Sequence, residues 1–106
     1  MSYKASHYDK RFAGKTMADG TPMNPRSNVA ASKSLPLATV PKVTNLQNGK
    51  GAVVEIRDRG PYVAARIVDL SPKTAADLGM RDKGVVPVEV LPLSVPQRDT
   101  GVSAAD

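Results

Sequence analysis

The stretch Val53-Val54-Glu55-Ile56-Arg57-Asp58-Arg59-Gly60-Pro61-Tyr62, followed closely by Arg66-Ile67-Val68-Asp69-Leu70-Ser71, decides how this chain reads. Two short β-like runs each end near a carboxylate, Asp58 and Asp69, and an Arg-Gly-Pro turn separates them. On the first run Val54 and Ile56 share one face, and Val53, Glu55 and Arg57 the other. Carboxylates at strand ends, held by a stiff turn, can be aimed into a groove, and aimed carboxylates are what glycan chemistry uses.

Working outward, Gln47-Asn48-Gly49-Lys50 is a hairpin signal, because Asn-Gly supplies the positive φ of a tight turn. It joins Ala52–Arg57 to a strand over Thr39–Leu46, in which Pro41 predicts an edge or a bulge. Ser71-Pro72 opens a helix that Gly79 closes: Ser caps, Pro suits the first helical position, and Gly suits the residue past the end. Arg66–Leu70 and Val85–Leu91 read as further strands, and Lys4–Tyr8 as an opening one. Phe12–Asn28, rich in Gly, Asp, Asn, Pro and Met, reads as a long surface loop of the kind that often carries function. Asn28–Ser34, a stretch of mostly small residues, reads as one helical turn ended by Leu35-Pro36. Residues from Ser94 on are small and polar, and predict a flexible tail over 94–106 behind a domain spanning 1–93. Five or six short strands with one helix predict a small β-barrel.

Composition bounds the chemistry. The 106 residues suffice for one modest core, and 41% hydrophobic with only 4% aromatic means that Val, Leu, Ile and Ala build it. There is no cysteine and one histidine, His7, which excludes disulfides, thiol catalysis and any Cys-based or multi-His metal site, and predicts no metal and no cofactor. Fifteen Lys and Arg against ten Asp and Glu give a net charge of +5, a balance that suits an anionic partner but is also common without one. Lys4, Lys10, Arg11, Lys15 and Arg26 fall near the first loop, yet aromatic interleaving is too sparse for stacked single-stranded nucleic acid, and no nucleic-acid partner is expected. Gly14-Lys15-Thr16 imitates a phosphate loop, but Asp9 stands where its first glycine must be. No apolar run approaches the roughly 18 residues of a membrane helix, and no signal peptide is visible after Met1.

An ordered set of fragments resembles the rare lipoprotein A domain: Ala5-Ser6-His7-Tyr8, Thr16-Met17-Ala18-Asp19-Gly20, Ala30-Ala31-Ser32-Lys33-Ser34-Leu35-Pro36, Val43-Thr44-Asn45-Leu46, Asn48-Gly49, Asp58-Arg59-Gly60-Pro61-Tyr62, Ile67-Val68-Asp69-Leu70-Ser71 and Ala75-Ala76-Asp77-Leu78-Gly79-Met80. Together they run from Ala5 to Leu91. The resemblance implies a mainly β fold, a six-stranded double-psi β-barrel with one or two short helices, related to expansins and some lytic transglycosylases. It implies a monomer in the cell envelope, periplasmic or outer-membrane associated, meeting peptidoglycan glycan strands, which calls for a leader upstream of Met1. The family reaction protonates a glycosidic oxygen and lets the muramic sugar's own hydroxymethyl oxygen attack, leaving an anhydro sugar.

By the same resemblance Asp58 and Asp69 are the candidate catalytic residues. His7, Tyr8, Thr21, Asn24, Ser32, Arg59 and Tyr62 are the candidate substrate-binding residues, the two tyrosines as sugar-stacking platforms. The first loop departs from the family's Gly-Glu-x-x-Asp: it reads Gly20-Thr21-Pro22-Met23-Asn24, and Ala30-Ala31-Ser32 lacks the family's His. Hydroxyls cannot act as acids near neutral pH. The expectation is therefore a glycan-binding domain with weak or lost cleaving activity. An active transglycosylase using Asp58 and Asp69, and a non-lytic expansin-like wall-binding module, are the alternatives.

Overall fold

The structure is a computed structural model that describes residues 3–62, 66–80 and 84–96. Among the described residues, seven strands, one short α-helix and a single 3-10 turn follow one another. They are β1 (Tyr3–His7), the 3-10 turn (Lys10–Phe12), β2 (Val29–Ser32), β3 (Val40–Asn45), β4 (Gly51–Val53), β5 (Glu55–Asp58), β6 (Arg66–Leu70), α1 (Pro72–Asp77) and β7 (Val85–Ser94). All strands join one sheet in the order β4-β3-β7-β1-β6-β2-β5. The sheet curls until β5 meets the approach to β3, where the N–H groups of Ala38, Val54 and Ile56 bond across. This closure leaves one inner face for a core.

That core is aliphatic, as composition requires. Ala5, Ala30, Val43, Val54, Ile56, Val68, Leu70, Leu78, Met80, Val86 and Val88 are its main members. Each large side chain among them contributes about 1.5–3 kcal/mol when fully buried. Val54 and Ile56 point inward while Val53 is exposed, as the alternation predicts. The run Ala52–Arg57 is nevertheless two strands, interrupted at Val54; its N–H turns away to Pro41 O. This break makes the count seven rather than six.

Two other expectations change. The small-residue stretch is not a helical turn but the buried strand β2, parallel to β5 and antiparallel to β6. It is hydrogen-bonded between two neighbours and buried along its whole length, and long-range pairing overrides local propensity. Pro41 does not mark an edge, because β3 lies between β4 and β7; it sits at a bulge, where register shifts between Val40 and Pro41. β7 also runs three residues past Leu91, pairing Pro92 and Ser94 with β3. The expected tail begins at the end of this strand, and residues 97–106 lie outside the described residues.

Gly49 at φ 77 completes the Asn-Gly turn, whose arms pair Thr44 with Gly51. Ser71 caps α1 through Oγ, which accepts from Thr74 N. Past the helix, Leu78 O accepts from both Asn45 Nδ2 and Asn48 Nδ2, so the hairpin and the helix end are locked together. No helix among the described residues is long and apolar enough to cross a membrane.

Candidate functional site

The site is built by register. On β2, Ala31 pairs with Asp58 on one side and with Asp69 on the other, and Asp69 in turn pairs with Ser6 on β1. Ser6, Asp69, Ala31 and Asp58 thus form one row across four strands. Two strand spacings separate the aspartate backbones, about 10 Å. Paired residues share a face, so this row looks away from the core that holds Ala30, Ile56 and Leu70. Asp58 reaches that face only through a bulge: Ala30 pairs with Ile56 but Ala31 with Asp58, leaving Arg57 as the extra residue. Without it Asp58 would share the face of Ile56 and be buried in the core. Re-aiming a side chain is what bulges do.

Both oxygens of Asp58 are engaged. Oδ1 accepts from the N–H groups of Ala18 and Arg59 at 2.9 Å each, and Oδ2 accepts from the Tyr8 hydroxyl at 2.8 Å. Asp58 therefore ties the first loop, the Arg59 turn and β1 together. Asp69 accepts from Ser6 Oγ at 2.8 Å. Burial pushes its carboxyl above the ordinary carboxylate range, against the Ser6 hydrogen bond and the nearby His7 and Arg66, with the charge of Asp58 adding to the rise. Burial, then the hydrogen bond to Asp58, raise the Tyr8 phenol well above its usual value. Tyr8, Met17, Met23, Val29 and Ala31 form a second small core under the loop.

The loop over 13–28 is an ordered structure. Thr16 and Pro22 form a bridge, and Asp19 Oδ1 accepts from both the N–H and the hydroxyl of Thr21. Those two bonds draw the Asp19 carboxyl below its usual range, with Arg57 assisting. Arg57 bonds Asp19 Oδ2 at 3.3 Å and Glu55 Oε1 at 3.0 Å. Asn24 shapes the turn that follows, accepting at Oδ1 from Arg26 N.

The predicted residues do not gather in one cleft. Thr21 and Asn24 line a groove of about 490 Å³ with Val53, Glu55 and Arg57. His7 and Tyr8 line another of about 470 Å³ with Asp9, Pro72, Ala75, Ala76 and Met80. The carboxylate row lines neither. Ser32 pairs with Val68, one residue past the row, and its Oγ accepts from Ser34 N and Leu35 N. Arg59 donates to the carbonyls of Ser32 and Leu35, clamping the same turn. Tyr62 is 78% exposed beyond the cis Gly60–Pro61 bond. Sequence reasoning missed Ser6, Asp19, Glu55 and Arg57. Ser6 could have been found, since it stands two residues before Tyr8, on the same face of an extended run; the others depend on the fold of the loop. Among the described residues no group of three or more His, Asp or Glu comes together to hold a metal ion.

A family model described as lytic transglycolase, a double-psi β-barrel family, matches residues 1–90. The chain belongs to this family. It is a rare lipoprotein A-like double-psi β-barrel domain. A probable endolytic peptidoglycan transglycosylase RlpA from Nostoc sp. is 47% identical over 79 residues, 74% of this chain and 21% of that protein. The endolytic peptidoglycan transglycosylase RlpA of Pasteurella multocida is 42% identical over 103 residues, 95% of this chain and 35% of that protein. The chain thus spans between 21% and 35% of the length of these relatives. Among solved structures, Streptomyces papain inhibitor superposes with a TM-score of 0.64 at 25% identity, over 86% of this chain and 93% of that one. An expansin of Clavibacter michiganensis superposes with a TM-score of 0.67 at 22% identity, over 92% of this chain and 52% of that one. The expansin likeness establishes the shared barrel and nothing finer.

Proposed function

We propose that this lytic transglycolase-family domain binds peptidoglycan glycan strands in the cell envelope and cleaves them weakly or not at all. Family membership and relatives named as endolytic peptidoglycan transglycosylases support the substrate class. The observation that carries the reading is the state of the polar groups around the row. Thr21 stands where the family's Glu is expected, and its hydroxyl is spent on Asp19. Ser32, where the family's His is expected, caps a turn. Asp58 already receives three donors, two on Oδ1 and one on Oδ2, which leaves little of its acceptor capacity for a substrate proton. What remains is a polar row suited to holding sugar hydroxyls.

One observation favours the second reading, cleavage by the aspartates. Asp69 is shifted upward by burial, as a general acid for a glycosidic oxygen must be. In that case the Asp69 proton passes to the leaving oxygen as the C–O bond breaks. The muramic hydroxymethyl oxygen bonds the anomeric carbon and gives its proton to a base.

Incubation with glycan strands stripped of stem peptides, followed by mass spectrometry and by sedimentation with whole sacculi, separates the two. We expect co-sedimentation without anhydro-ended products. Such products, lost in Asp69→Asn, would establish the enzyme instead; failure to sediment would remove the wall-binding reading altogether. Thr21→Glu restores a carboxylate to the first loop and is expected to raise product formation above the parent.

A further inference from the structure

The chain has four aromatic side chains, Tyr3, Tyr8, Phe12 and Tyr62, and one of them joins an exposed, fixed ring to the carboxylate row. Tyr8 is only 8% exposed. Its ring belongs to the second core with Met17, Met23, Val29 and Ala31, and its hydroxyl is committed to Asp58. A sugar cannot stack on a ring that other side chains cover, so the platform expected at Tyr8 is not there. Tyr3 pairs with Val88 at the far end of β1. Tyr62 is open to solvent, but no hydrogen bond or ring contact holds its side chain among the described residues.

Phe12 is different. It is 39% exposed, and its backbone is pinned on both sides: its N–H donates to Asp9 O and its carbonyl accepts from Lys15 N, at 3.0 Å each. Asp9 Oδ1 braces the same 3-10 turn by accepting from Arg11 N. The ring leans on Tyr8, with centroids 6.1 Å apart and planes tilted by 60°. Tyr8 is itself fixed, so a rigid connection runs from Asp58 through Tyr8 to an exposed aromatic surface. A ring already held in place loses little freedom when a ligand lies on it, which makes such a contact effective. Its cover in the free protein is Arg11, whose guanidinium carbon lies 5.2 Å from the ring centroid. Arg11 is exposed, and its side chain has no ion pair or hydrogen bond among the described residues. Cation–π contact at an exposed site is weak, so the guanidinium can give way to a ligand and turn its N–H groups to hydroxyls. A pyranose matches this pair, with a face of axial C–H groups for the ring and hydroxyls around its rim for the guanidinium.

We propose that Phe12 is the sugar-stacking platform beside the carboxylate row, uncovered when Arg11 swings aside, and that it takes the role expected of Tyr8. The inference rests on the glycan-binding reading and names the apolar contact of that site. It makes Phe12 a binding residue and Tyr8 the strut that positions it.

The test is saturation-transfer NMR and calorimetric titration with a soluble, uncharged probe, the β-1,4 tetramer of N-acetylglucosamine. Saturation of aromatic protons is expected to reach the ring C–H protons of a bound sugar, and this signal should vanish in Phe12→Leu. Leucine keeps an apolar side chain against Tyr8, so the variant removes the ring and not the packing; its urea midpoint checks that the fold is kept. Its affinity for the tetramer should fall about threefold to tenfold, the share that aromatic stacking adds beyond area. Phe12→Trp, which keeps an aromatic face, should retain both the binding and the signal. Arg11→Ala takes away the cover and should leave the signal in place. Unchanged signal and affinity in Phe12→Leu, or no transferred signal in the parent, would overturn the platform. Loss of binding in Arg11→Ala with Phe12→Leu unaffected would overturn it too, by giving the contact to the guanidinium. Sacculi that carry down the parent and Phe12→Leu equally would sink the platform and leave the glycan-binding reading standing. Tetramer binding through Phe12 by a protein that does not sediment with sacculi would do the reverse.

Discussion

Asp58 shows how one side chain can serve as both scaffold and site. Its three hydrogen bonds come from three separate segments: Tyr8 just past β1, Ala18 in the first loop and Arg59 in the following turn. Removing the carboxylate leaves three donors to find water. Asp58→Ala is expected to cost about 2–3 kcal/mol in urea denaturation, in line with hydrogen bonds to a charged group. Tyr8→Phe removes one of the three and should cost about 1 kcal/mol. Asp69 behaves differently, because burial raises its carboxyl above the unfolded value of 3.8. Between the unfolded and the raised folded value the native state holds more protons than the unfolded chain. The contribution of Asp69 to stability is therefore greatest at low pH and falls as pH rises through that window. Asp69→Asn should flatten this slope and be more stable than the parent above the window, as read by denaturation midpoints at a series of pH values. A steeper loss in the variant than in the parent would contradict burial as the cause of the shift.

The helix is fastened to the sheet and the first loop at its ends. Ser71 is fully buried; its Oγ donates to Ser27 O at 2.6 Å and accepts from Thr74 N. Ser71→Ala removes a helix cap and leaves a loop carbonyl without its donor, a combined loss of about 2 kcal/mol measurable by chemical denaturation. An effect near zero would mean that water replaces the hydroxyl. The cap itself was legible in Ser71-Pro72, as were the Asn48-Gly49 turn and the inward pair Val54 and Ile56, because each is a local or short-period signal. Three things were not legible. Ala30 and Ala31 carry no strand propensity and owe their conformation to β5 and β6, which lie far along the chain. The bulge at Arg57 leaves no mark in a run that reads as clean alternation, yet it alone turns Asp58 out of the core. Asn45 reads as a strand residue and Asn48 as a turn residue, whereas their side chains also hold Leu78 O. The aspartates of the site could be picked out because both end β-runs; their spacing and their partners belong to register, which pairing across the sheet determines.

The whole molecule is a barrel with a second, smaller core on its outer face. The main core closes the sheet; Tyr8, Met17, Met23, Val29 and Ala31 hold the first loop over the carboxylate row. Backbone bonds fasten that loop internally, Gly14 N to Met23 O and Met23 N to Lys15 O at 2.8 Å each, but few tie it to the sheet. The two cores should therefore come apart separately, since regions with fewer buried contacts open at lower free energy than the global transition. Leu78→Ala strikes the main core and should lower global stability by about 2–5 kcal/mol, speeding exchange of β1, β3 and β7 amides alike. Met23→Ala, also buried, should act chiefly on the loop: amides of Gly14, Met17 and Met23 lose protection in native-state hydrogen exchange, while those of Val43, Val68 and Val88 keep most of theirs. Co-sedimentation with sacculi should fall in Met23→Ala even though the barrel stays folded, because Ala18 no longer holds Asp58 in the row. Uniform loss of protection across loop and barrel would show instead that the two cores form one cooperative unit, and that the binding face cannot be loosened without unfolding the domain.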